Sequence, residues 1–245
     1  MRRFPFAHEN LGPAGDRRDP GQVPRELNAI GNNAVQVKGR MVRISDPMRP
    51  RPKVIALTEA ISHRLPELPR YGKPIRSHTT LGRANLALYV RDGLEGPPPS
   101  WVQHKATWPK VNDPRQQHAA RSTLVKTLYD HGPTIVVGHG PQAPNPRLPD
   151  ATNRALVEAR EEWVDITARI LDNYPQVIWL GDPNGLLPHV RRALGDPRAT
   201  VGGDSTDAVL VRGYILATAS TPNSVNGVPM LTDHRKALLG LALVR

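Results

Sequence analysis

The chain has 245 residues, enough to bury a substantial core, and no cysteine, which excludes disulfide frameworks, thiolate metal sites and cysteine nucleophiles. Its 33 Lys and Arg against 22 Asp and Glu leave a net charge of +11, a balance that attracts polyanions, nucleic acid foremost. There is no run of roughly eighteen apolar residues and no apolar stretch behind Arg2 and Arg3, so neither a membrane span nor a secretory leader is expected, and a cytoplasmic setting fits.

Residues 1–24 mix Arg, Pro and Gly with little apolar periodicity and predict a flexible basic arm ahead of one domain over 25–245. From "RELNAIGNNAVQVKG" onward short apolar runs alternate with breakers. "KVIALTEA" has strand length and ends in Glu59; "ANLALYVRDG" is a second strand with a turn behind it, so strands dominate the first half. "GLEGPPPSWVQHKATWPKVNDPRQQ", rich in Pro and Gly, reads as a long surface loop carrying Trp101 and Trp108. "STLVKTLYDHGPTIVVGHGP" reads as a hairpin whose second strand delivers His139.

The clearest helix follows Asp150, a candidate N-cap. Leu156, Ala159, Trp163, Ile166 and Ile170 recur at steps of three and four, while Glu158, Arg160, Glu161 and Glu162 form the solvated side. Tyr174 and Pro175 stop it before the strand "QVIWL", which runs into Gly181-Asp182-Pro183-Asn184. "DAVLVRG" and "KALLGLALVR" predict two further strands.

Asp-Pro-Asn-Gly is good turn chemistry with no function required. Acid-base-capable residues nevertheless stand at the ends of several separate strands: Glu59, His139, Asp182 with Asn184, Asp207, and Asp233-His234. Each has an ordinary reading as a solvated strand end or turn. Together they predict one shared site if the strands lie side by side.

The order of these pieces resembles the endonuclease/exonuclease/phosphatase superfamily, whose fold is that of pancreatic deoxyribonuclease. "VIALTEA" is similar to its strand ending in a metal-binding Glu, "VVGHGPQAPN" to its strand ending in His, "VIWLGDPNG" to its Gly-Asp-x-Asn run, and "DAVLVRG" with "TDHRKALLGLA" to its closing pair. The resemblance implies an α/β four-layer sandwich, two mainly antiparallel sheets face to face with helices outside. It implies Glu59 and Asp233 as ligands of Mg²⁺ or Mn²⁺, with His139, Asp182, Asn184, Asp207 and His234 in catalysis. The family's first strand ends in Asn, for which Asn28, Asn32 and Asn33 are candidates, Asn28 preferred, as a contact to substrate phosphate beside Asn184 and His234. The family's acidic partner for the hairpin histidine falls where this chain has Ala84 and Asn85.

Residue chemistry points the same way. Phosphodiester hydrolysis needs an activated water, stabilisation of charge on phosphorus and help for the leaving oxygen. Two residues apart on an extended segment, Asp182 and Asn184 would point the same way, one toward the water and one donating to a phosphate oxygen. His234, held by Asp207, would bind phosphate as imidazolium. With the positive charge and tryptophans able to stack on bases, the expected activity is hydrolysis of DNA, preferred over RNA. The alternatives are hydrolysis of a smaller phosphate ester and a nucleic-acid-binding protein that catalyses poorly.

Overall fold

The computed structural model describes residues 3–11, 21–32, 34–37, 40–43, 51–60, 65–76, 86–104, 108–110, 113–118, 122–129, 132–230 and 236–244. In chain order the elements are β1 (Arg3–Asn10), α1 (Gln22–Asn32), β2 (Ala34–Val37), β3 (Arg40–Arg43), β4 (Val54–Thr58), β5 (Ile75–Arg76), β6 (Leu86–Val90), β7 (Ser100–Gln103), β8 (Trp108–Lys110), β9 (Asp113–His118), β10 (Ser122–Thr127), β11 (Thr134–His139), α2 (Asp150–Asp172), β12 (Val177–Asp182), α3 (Leu187–Leu194), β13 (Thr200–Gly203), β14 (Ala208–Arg212), β15 (Tyr214–Ser220), β16 (Ser224–Val225), β17 (Val228–Pro229) and β18 (Ala237–Val244).

Two six-stranded sheets carry the architecture, ordered β15-β18-β1-β4-β6-β5 and β13-β14-β12-β11-β10-β7. Both are mainly antiparallel, and each contains one parallel pair, β1 with β4 and β11 with β12. Runs such as Val54–Thr58, Leu86–Val90 and Thr134–His139 are buried throughout, as strands covered on both faces must be. One face of the first sheet (Phe4, Phe6, Val54, Ala56, Leu88) packs on one face of the second (Leu124, Ile135, Val137, Ile178, Val209) to form the inter-sheet core. Outside the first sheet, Val23, Leu27 and Ile30 of α1 cover Ala7, Ile55 and Leu57. Outside the second, Trp163 and Leu171 of α2 and Val190 of α3 cover Val136, Trp179 and Leu210. The result is the expected four-layer α/β sandwich with helices outside.

Several local expectations are corrected. The flexible arm does not hold for residues 3–10, which form β1, buried from Phe4 onward between β18 and β4; residues 12–20 lie outside the described residues. Pro5 lacks an N–H for the ladder, but its carbonyl accepts a bond from Lys53 N at 2.7 Å. Residues 25–32, "RELNAIGN", belong to a helix, not an apolar strand, since Val23, Leu27 and Ile30 share one helical face; Asn33 lies outside the described residues. The long loop resolves into β7, an edge strand, and the β8–β9 hairpin; half-buried Trp101 packs against the inter-sheet core. Asp150 is the first residue of α2, with Pro149 as its N-cap. No helix among the described residues is long and apolar enough to cross a membrane.

Candidate active site at one end of the sandwich

The two parallel pairs end at the same edge. In β11 and β12, His139 is register partner of Asp182, and in β1 and β4, Asn10 is partner of Thr58. Because side chains alternate along a strand, Phe4 and Phe6 place His8 and Asn10 on the same inter-sheet face, where apolar packing gives way to polar groups. Asn10 Nδ2 then crosses between the sheets to donate to Asp182 Oδ2 at 3.1 Å, both residues being buried.

Asp182 is the hub of this contact. Besides Asn10, its Oδ2 lies 3.5 Å from His139 Nε2, and its Oδ1 accepts from the backbone N–H of Asn184 at 2.9 Å. His139 therefore has a carboxylate neighbour on the adjoining strand; Ala84 and Asn85 lie outside the described residues. Gly181 makes the approach possible: a Cβ there would sit 1.9 Å from the Gly138 carbonyl oxygen. Asn184 has φ 47°, a left-handed residue, so the expectation of an extended segment is corrected. Its Nδ2 donates to the Gly140 carbonyl at 2.9 Å, fastening the loop after β12 to the loop after β11.

A second polar cluster surrounds Asp207, which is wholly buried just before β14. His8 Nδ1 lies 3.1 Å from Asp207 Oδ1, and His8 Nε2 shares a hydrogen bond with Thr58 Oγ1 at 3.2 Å. Lys236 Nζ is 3.9 Å from Asp207 Oδ2 and 2.6 Å from Asp204 Oδ2. Asp204 Oδ1 in turn accepts from the backbone N–H groups of Thr206 and Asp207, each at 2.9 Å. Burial works against the Asp204 carboxylate, but Lys236 and these N–H groups outweigh it and hold its pKa below the ordinary carboxylate value.

Comparison of the sequence with protein-family models and with curated proteins finds no match. Solved structures do match. The chain is similar to D. rerio TDP2 complexed with single-strand DNA product, at TM-score 0.65 and 10% identity, covering 99% of both chains. It is similar to the 3′-5′ exonuclease NExo from Neisseria meningitidis, at TM-score 0.58 and 11% identity, covering 97% of this chain and 98% of that one. An endonuclease/exonuclease/phosphatase family protein from Leptotrichia buccalis matches at TM-score 0.51 and 12% identity over 98% of this chain and 99% of that one. The chain has the fold of the endonuclease/exonuclease/phosphatase superfamily.

Within this endonuclease/exonuclease/phosphatase fold, His139, Asp182, Asn184 and Asp207 are brought to one end, and Glu59 closes β4 at that same end, half-buried at φ 54°. Asp233 and His234 lie outside the described residues; Lys236, two residues beyond His234, is tied to Asp204. Asn28 is corrected. It sits in α1 on the outer face of the first sheet, and its Nδ2 donates to the Pro24 carbonyl at 2.8 Å. The asparagine that ends the first strand is Asn10. It was missed together with His8 and Lys236, although "RFPFAHEN" carries the signal: period-two aromatics at Phe4 and Phe6 followed by polar residues at His8 and Asn10.

Proposed function

We propose that the chain is a divalent-metal-dependent phosphodiesterase that hydrolyses DNA. The observation that carries this reading is the cross-sheet meeting of Asn10, His139 and Asn184 on Asp182, in a fold shared with structures described as bound to single-strand DNA product and to a product DNA hairpin. The net positive charge supports a polyanionic substrate.

The donor chemistry at this end fits a hard cation. The gathered groups offer oxygen or imidazole nitrogen, and the chain has no thiolate. Among the described residues no three acidic or histidine side chains close on one point. In this reading Glu59 and Asp233 would hold an ion of Mg²⁺ or Mn²⁺ type. Such an ion supplies charge neutralisation at the phosphate oxygens.

This chain's own residues do the rest. Asp182, held by the Asn10 side-chain amide and the Asn184 backbone N–H, orients the attacking water and takes its proton. Asn10 and the backbone of Asn184 fix the direction of that carboxylate. His139, beside Asp182, delivers a proton to the leaving oxygen or contacts the phosphate. His234 binds the phosphate, with Asp207 orienting it. With one of its amide hydrogens on Gly140, Asn184 shapes the loop more than it grips substrate.

The test is nicking of supercoiled plasmid in Mg²⁺, in Mn²⁺ and in excess chelator, for wild type beside Asp182→Ala and His234→Ala. The reading expects cutting by wild type in metal only, and loss of about 10²-fold or more in each variant. Equal cutting in chelator would remove the metal from the proposal. A second reading, removal of a terminal phosphate from DNA, is favoured by the description of a Neisseria NExo structure as a 3′ phosphatase, matched at TM-score 0.59 and 11% identity over 97% of this chain and 98% of that one. A 3′-phosphorylated hairpin oligonucleotide separates the two.

A further inference from the structure

Arg160, placed by the sequence pattern on the solvated side of α2, is half-buried and turned to the site end instead. One terminal nitrogen, Nη1, donates to the Pro141 carbonyl at 2.8 Å; the other, Nη2, donates to the Asn184 carbonyl at 3.2 Å. These two carbonyls belong to the loop that follows His139 and the loop that follows Asp182. The guanidinium is planar and fixed, with its outer nitrogens splayed to reach two acceptors at once, which a lysine ammonium on a flexible stem does not reproduce.

The helix from which Arg160 reaches is itself fixed to the strands beneath. Trp163, one turn further along α2, meets Trp179 of β12 edge to face, with ring centroids 5.9 Å apart and planes at 87°. The Trp179 indole fills the space above Gly138, where a Cβ would lie 3.0 Å from its Nε1. One edge-to-face pair of indoles thus packs α2 on β12 and against Gly138 of β11, and Arg160 reaches from α2 past the strand ends. Two further ties complete the link between the loops: Gly140 N donates to the Asp182 carbonyl at 2.7 Å and Asn184 Nδ2 to the Gly140 carbonyl. Burial of Arg160 works against its charge and lowers its pKa from the ordinary value.

Resting on the hydrolase reading above, we propose that Arg160 is a positioning residue: by bridging the Pro141 and Asn184 carbonyls it holds the His139 and Asp182 loops in one geometry and acts on the reaction only through them. It touches neither substrate nor metal in this account. Its removal therefore loosens the reacting groups while leaving the surface that binds DNA unchanged.

The experiment compares wild type with Arg160→Lys, Arg160→Gln and Arg160→Ala by steady-state hydrolysis of a short duplex, and by hydrogen exchange of the Gly140 and Asn184 amides in chelator. For Arg160→Gln and Arg160→Ala the expected kcat falls about 10²-fold, the cost of displacing reacting groups by about an ångström, with KM changed less than about threefold. Arg160→Lys, which keeps the charge and loses the fork, falls in between. Added guanidinium restores part of the kcat of Arg160→Ala. Exchange at both amides quickens by about tenfold or more in the Gln and Ala variants. Unchanged exchange at Gly140 and Asn184 overturns the proposal, and so does a fall in melting temperature with kcat intact. If wild type hydrolyses nothing, the hydrolase reading fails, and the exchange measurement still judges the bridge by itself.

Discussion

Replacing Asn10 by aspartate changes almost no volume and converts the donor that spans the sheets into a second carboxylate about 3 Å from Asp182 Oδ2. Two unit charges at 3.1 Å repel by about 5 kcal/mol at an effective dielectric constant near 20, an upper limit for the strain. The folded chain escapes most of it by binding a proton that the unfolded chain, with carboxylates near pKa ~3.9, has released by neutral pH. The folded-state pKa is raised, so stability is retained at low pH and lost as pH rises, by about 1.4 kcal/mol per pH unit above ~3.9. Asn10→Asp should thus lose about 4 kcal/mol at pH 7, and about 3 kcal/mol less than that at pH 5. Asn10→Ala, which only removes a hydrogen bond to a charged group, should lose about 1.5–3 kcal/mol at both pH values. Urea unfolding of the three proteins at pH 5 and pH 7 measures this directly. If Asn10→Asp is destabilised equally at both, the two side chains are not neighbours and the cross-sheet hub at Asp182 is wrong.

Lys236→Met removes the ammonium that, with two backbone N–H groups, outweighs burial at Asp204. Asp204, whose pKa is lowered in the fold, contributes stability above the ordinary carboxylate pKa and loses it as pH falls through the folded value. The variant should therefore trail wild type by up to about 1 kcal/mol at pH 7, discounted for partial exposure, with the gap closing below pH ~4 in a melting-temperature series. Gly181→Ala drives a Cβ to 1.9 Å from a backbone oxygen that cannot swing away, and a loss of about 3 kcal/mol or more is expected in urea unfolding; a loss under about 1 kcal/mol would contradict the close packing of β11 on β12.

What could be read from the residues depended on whether burial left a periodic mark. β4, β11, β12 and β14 are covered on both faces and stand out as unbroken apolar runs between breakers, and α2 shows its buried stripe plainly. From these ends came Glu59, His139, Asp182 and Asp207. β1 was hidden because Pro5 and the flanking arginines resemble a solvated tail, whereas the burial that decides its place comes from β18, nearly the whole chain away. With β1 went Asn10 and His8. α1 was hidden by Gly31 and its asparagines, which break the pattern even though Val23, Leu27 and Ile30 are correctly spaced. Arg160 was unreadable for a different reason: a charged residue between Glu158 and Glu161 looks solvated until the loops it reaches are positioned by tertiary packing.

The pairing of β1 with β18, from Arg3 opposite Leu243 to Glu9 opposite Ala237, puts the earliest and latest strands of the described chain side by side in the middle of a sheet. A ribosome would release the first of them long before its neighbour exists. Phe4 and Phe6 then wait without a full shelter, and closing so large a loop carries an entropic penalty that delays assembly. Deleting β1 would split that sheet down its centre and take Asn10 from Asp182.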